Sequence, residues 1–89
     1  MKVLAEKEKK IYKQRLSENL KMLRSKLDIS QADLAETLGV SRQTINAVEN
    51  CRQSMSWNLF ISLILFFSCN KDTKELLPIT KINVKDIIR

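Results

Sequence analysis

Histidine is absent from the 89 residues, and glycine and proline occur once each. Without histidine no Cys–His nucleophile pair can be assembled, and the two cysteines, Cys51 and Cys69, do not make a Cys-x-x-Cys zinc site. A single glycine leaves no glycine-rich loop to cradle a nucleotide phosphate. The carboxylates fall on helix surfaces without a paired acid and base at one place. These absences argue against an enzyme, a metal protein or a cofactor carrier, so no catalytic residue, metal or cofactor is expected. The N-terminal stretch MKVLAEKEKK lacks the apolar core of about 7–15 residues that a signal peptide needs. The chain is therefore expected in the cytoplasm, with both thiols reduced. The longest apolar run, Trp57 to Cys69, has roughly thirteen residues, short of the roughly 18 that span a bilayer.

What is present is positive charge. Lys and Arg outnumber Asp and Glu by 16 to 10, a formal net charge of +6, which makes a polyanion the natural partner, nucleic acid before membrane surface. The excess lies mostly in the first 30 residues, with nine basic against four acidic side chains. A chain of 89 residues makes one small domain with a modest core, which a partner subunit would help to complete.

The most informative stretch is SQADLAETLGVSRQTINAVEN, Ser30 to Asn50. Ser30 and Ser41 stand where N-caps belong, each offering a hydroxyl to free amides of the following turn. Between them lies Gly39, where one helix must end and the chain turn through a left-handed residue. Leu34 and Leu38 recur at i, i+4 on the first helix, Ile45 and Val48 at i, i+3 on the second, so two apolar stripes face each other. Ala35 is small enough to let the helices cross closely. The pattern is a helix-turn-helix over residues 31–50.

The segment resembles the helix-turn-helix of the phage repressor and Cro family, the xenobiotic-response-element type, through SQ at 30–31, LA at 34–35, LGVSRQTI at 38–45 and EN at 49–50. NLKMLRSKL, residues 19–27, is similar to that family's first helix. The resemblance implies an all-α, compact domain of four to five helices, and a sequence-specific regulator that binds double-stranded DNA as a dimeric repressor. It also implies that Arg24 pairs with Glu49, that Asn50 holds a phosphate at the helix end, and that Arg52 stands in a basic loop. Gln31, at the amino end of its helix, sits where free amides and the helix dipole favour a phosphate. Arg42, Gln43, Thr44, Asn46 and Ala47 are expected on the exposed face of the second helix. Arg suits guanine, Gln or Asn suits adenine, and a Thr methyl suits thymine. The expected DNA-binding set is thus Gln31, Ser41, Arg42, Gln43, Thr44, Asn46, Asn50 and Arg52, with Arg24, Ala35, Gly39 and Glu49 structural. Two departures stand out. Cys51 occupies the place where relatives carry Gly after the EN pair, predicting a strained exit, and Met55 precedes Ser56 where relatives tend to have Pro.

Around the motif, residues 1–14 read as a charged arm or helix extension, because Val3, Leu4 and Ile11 are too sparse to bury a face. A basic arm of this kind could lie along phosphates. Residues 15–78 form the domain proper. Its first helix, Arg15 to Leu27, carries Leu16, Leu20, Leu23 and Leu27 on one face, and Ile29 precedes the Ser30 cap as a hydrophobic staple. Trp57 to Cys69 predicts a fourth helix with hardly a polar face, one side on the domain and the other on a second subunit. Asn70 to Asp72 should break it, and Thr73 to Leu77 add a short turn ended by Pro78. Residues 79–89 form a C-terminal tail in which Ile79, Ile82, Val84, Ile87 and Ile88 make a loosely strand-like pattern too irregular to assign to a strand. Dimerisation is expected through residues 57–89, with no membrane partner. Two other functions fit the same residues: an antitoxin that represses its own operon and binds a toxin, and a protein-interaction module on the same fold.

Overall fold

Three serines and an aspartate decide where the central helices begin. In the computed structural model, which describes residues 4–87, Ser30 Oγ accepts from the Asp33 amide at 2.9 Å while the Asp33 carboxylate accepts from the Ser30 amide at 3.2 Å. Each closes an otherwise unpaired donor of the first turn. Ser41 Oγ accepts from the Thr44 amide at 3.1 Å, and Ser56 Oγ from the Leu59 amide at 3.1 Å. The helices that follow are α2 Gln31–Leu38, α3 Arg42–Glu49 and α4 Trp57–Cys69. They are preceded by α1 Glu6–Lys26 and followed by α5 Lys71–Lys74 and two 3₁₀ turns, Leu77–Thr80 and Val84–Asp86. The architecture is all-helical among the described residues, as the family resemblance implied.

Helix ends repeat one device. Asp28, Gly39 and Cys51 all have positive φ, 55°, 72° and 57°. Each is followed by an amide that reaches five residues back, Ile29 to Arg24 O, Val40 to Ala35 O and Arg52 to Ala47 O, at 3.3, 3.0 and 2.9 Å. The inner bonds match as well, Asp28 to Ser25 O, Gly39 to Glu36 O and Cys51 to Val48 O. This is the Schellman closure, which satisfies carbonyls that a helix end leaves open. Only Gly39 adopts it without a Cβ penalty.

Leu16, Leu20 and Leu23 of α1, Leu34 of α2, Ile45 and Val48 of α3, and Phe60, Leu63, Ile64 and Phe67 of α4 are fully buried in one core. Ala35, also buried, lies where α2 packs on α3. The expectation that α4 has more apolar surface than its own chain can cover is corrected here. Phe60 and Ile64, which do not fall on the Leu59–Leu63–Phe66–Phe67 stripe, nonetheless have 0% exposure. The cover comes from the amino half of α1. It is helical from Glu6 rather than from Arg15 and carries Tyr12, which stacks on Phe60 at 6.5 Å, while Trp57 stacks on the same ring at 4.6 Å. Leu4 is buried too, whereas Ile11 stays exposed. Of the large apolar side chains of α4, Leu65 alone remains exposed, at 47%.

The tail, which the residue pattern left unassigned, folds back over the domain through two 3₁₀ turns. Asn70 caps α5 with extended backbone, and its amide nitrogen donates to Phe66 O at 2.7 Å. Thr73, fully buried, donates to Phe67 O at 2.7 Å. Asn70 ends α4 where a break was expected, and residues 71–72 open a short helix directly after it. Pro78 does not end it; it stands in the first turn of Leu77–Thr80, where a missing N–H costs nothing. Thr80 and Ile82 are buried, Arg15 donates to Lys81 O at 2.7 Å, and Tyr12 donates to the Asp86 carboxylate at 3.2 Å. Val3 and Ile88 lie outside the described residues.

Candidate nucleic-acid interface

Helix α3 is held from behind and bare in front. Ile45 and Val48 are fully buried against α1 and α2, which fixes the helix about its axis. Its carboxyl end is held by an ion pair. The Arg24 guanidinium donates from Nε to Glu49 Oε2 at 3.2 Å and from Nη2 to Oε1 at 2.9 Å, while Nη1 donates to Ile29 O at 3.0 Å. One side chain thus ties α1, the turn into α2 and the end of α3 together. The hydrogen bonds it donates to Glu49 raise the Arg24 pKa, burial opposes the rise, and the Glu49 charge adds to it. Arg24 therefore stays charged at every pH the fold would meet.

The front of α3 divides into free and engaged side chains. Arg42 and Gln43 are exposed, and neither makes a side-chain hydrogen bond among the described residues. The hydroxyls of Ser41 and Thr44 lie 2.9 Å apart, so both are partly committed to the cap. Asn46 is tied at both ends of its amide. Its Nδ2 donates to Gln31 Oε1 of α2 at 3.2 Å, and its Oδ1 accepts from Arg52 Nη2. Asn50 donates to Asn46 O at 2.9 Å. Gln31, Asn46, Asn50 and Arg52 therefore form one connected polar group across the two helices and the loop.

Four α1 residues outside the expected DNA-binding set meet the loop after α3. Lys10, Lys13, Gln14 and Ser17 of α1, with Cys51, Arg52, Gln53 and Ser54, line a cleft of about 200 Å³. The Gln14 amide reaches Cys51 Sγ at 3.8 Å. A signal was available: Lys10, Lys13, Gln14 and Ser17 recur at i, i+3, i+4 and i+7, a polar stripe at helical spacing. Cys51 and Cys69 are both free and exposed.

Two short helices crossing behind a Gly39 turn, the second buried on one face and polar on the other, define a helix-turn-helix protein. The profile of the family described as helix-turn-helix matches residues 20–54. An uncharacterized HTH-type transcriptional regulator of Methanocaldococcus jannaschii is 40% identical over 52 residues, 58% of this chain and 79% of that protein. No solved structure matches. The chain belongs to the helix-turn-helix family, in the Cro/C1 type that residues 30–50 resemble. Among the described residues, no helix is long and apolar enough to cross a membrane.

Proposed function

We propose that the chain is a sequence-specific, double-stranded-DNA-binding transcriptional regulator that works in the cytoplasm as a dimeric repressor, with α3 in the major groove. The observation that carries this reading is the contrast on α3. Arg42 and Gln43 stand exposed in its first turn, without a side-chain partner among the described residues, while Ile45 and Val48 behind them are fully buried. A rigid helix presenting a guanidinium and a carboxamide is suited to bidentate contacts with guanine and adenine. The relative's printed name, an HTH-type transcriptional regulator, supports the same reading.

In this account Arg42 and Gln43 read bases, with Thr44 beside them. Gln31, Asn50 and Arg52 hold phosphates, and Asn46 sets the positions of Gln31 and Arg52. The amino end of α2 adds free amides and a positive dipole to the Gln31 side. One such helix reads only a few base pairs, so two copies about one helical turn apart are needed for a selective site. Ile61 and Leu65, at i, i+4 on α4, give a small apolar strip suited to a two-fold contact, with Leu65 47% exposed. Selection of bound duplexes from a random library tests the proposal. Enrichment of a site with two related half-sites supports it, and a library left unenriched in the presence of folded protein counts against it.

A further inference from the structure

We propose that the amino half of α1 carries an additional DNA contact, a cationic cleft beside the recognition helix that seats a backbone phosphate. This rests on the DNA-binding reading above and extends it to a part of the chain that the family match, residues 20–54, does not include. The cleft, about 200 Å³, brings Lys10 and Lys13 of α1 to the same space as Arg52, with Gln14 and Ser54 adding polar side chains. No Asp or Glu lines it among the described residues. Neither lysine has an ion-pair partner among them, since Lys9 rather than Lys10 or Lys13 pairs with Glu6. Three cations facing one volume without a counter-charge repel one another in the free protein, and an anion relieves that repulsion. Two ammonium groups and a guanidinium suit the oxygens of a phosphate.

The placement selects DNA as the source of that phosphate. Residues 51–54 leave directly from the last turn of α3, and Arg52 Nη2 donates to Asn46 Oδ1 on α3 itself. The cleft is therefore mechanically coupled to the helix that faces the bases. A phosphate held there would set the register of Arg42 and Gln43 along the groove, a positioning role without sequence preference. It also gives the stretch of α1 before Arg15, about two and a half turns, a use besides covering Phe60.

The test is a salt titration of full-length protein on its selected operator, comparing wild type with Lys10→Gln/Lys13→Gln. Each phosphate contact contributes about 0.9 to the slope of log affinity against log salt. The double variant should show a slope shallower by about one to two and an affinity about tenfold lower at about 50 mM salt, with the ranking of operator variants unchanged. Lys74→Gln, at another cleft, should leave the slope unchanged. In a Cys69→Ser background, alkylation of Cys51 with iodoacetate should weaken binding more than iodoacetamide, because only the first places a carboxylate in the cleft. Wild-type slope and affinity in the double variant, or an equal loss in Lys74→Gln, overturns the inference while leaving DNA binding intact. Wild type that binds no duplex at any salt overturns the functional reading itself.

Discussion

Arg24 and Glu49 meet side-on, two N–H groups of the guanidinium on the two oxygens of the carboxylate at 3.2 and 2.9 Å, with side-chain exposures of only 15% and 7%. Breaking such a pair strands a charge where little water reaches it. Arg24→Ala or Glu49→Ala should each cost about 3 kcal/mol, the lower end for buried pairs because Arg24 keeps some solvent. The double variant should cost clearly less than the sum of the two. Urea denaturation of all four proteins measures this, and a coupling energy of zero would refute it.

Asn46 joins Gln31 to Arg52, so its loss should act on phosphate holding rather than on base choice. Asn46→Ala and Arg52→Ala are expected to weaken every duplex alike, by about tenfold, with the salt slope reduced by about one. Competition binding against a panel of operator variants checks this. Selective loss at one base pair in Asn46→Ala would assign Asn46 to base reading.

Cys51 closes α3 at φ 57°, where the matching residue of α2 is Gly39 at φ 72°. A Cβ in that conformation costs about 1–2 kcal/mol, partly offset by the greater unfolded-state entropy of glycine. Cys51→Gly should therefore stabilise the domain by about 0.5 kcal/mol, raising the melting temperature by roughly 2–4 °C. Cys51→Val should destabilise it, since a β-branched side chain tolerates this region least. A melting temperature lowered by Cys51→Gly would mean that the Gln14 contact outweighs the strain.

Leu65 is the large apolar side chain of α4 that its own chain leaves most open. Leu65→Glu should leave the melting temperature within a few degrees of wild type and shift the sedimentation equilibrium toward monomer, with operator affinity lower by tenfold or more. Wild-type protein that sediments as a monomer at tens of micromolar would end the dimer proposal.

The central motif was legible because its signals are local. Ser30, Ser41 and Gly39 each act within a few residues of themselves, and they fall where caps and a left-handed turn are found. The Arg24–Glu49 contact came from resemblance alone, since 25 positions separate the partners and no periodicity links them. The outer faces of α4 were misjudged for a tertiary reason. Tyr12 lies far from Phe60 in sequence, among lysines that hide its value as a covering ring, and the return of residues 79–87 across α1 depends on bonds such as Arg15 to Lys81 O. Asp28 at φ 55° also escaped notice, although aspartate is one of the few residues other than glycine enriched there.

The account stands most directly on what Arg42 does to sequence preference. Dissociation constants for wild type and Arg42→Ala, measured on the selected operator and on every single-base variant of one half-site, provide the comparison. Arg42→Ala should lose about 1–3 kcal/mol on the preferred operator and become indifferent at one base pair, with preferences elsewhere in the half-site retained. If the variant ranks all duplexes as wild type does, α3 does not read bases through Arg42, and the proposed use of its exposed face is wrong.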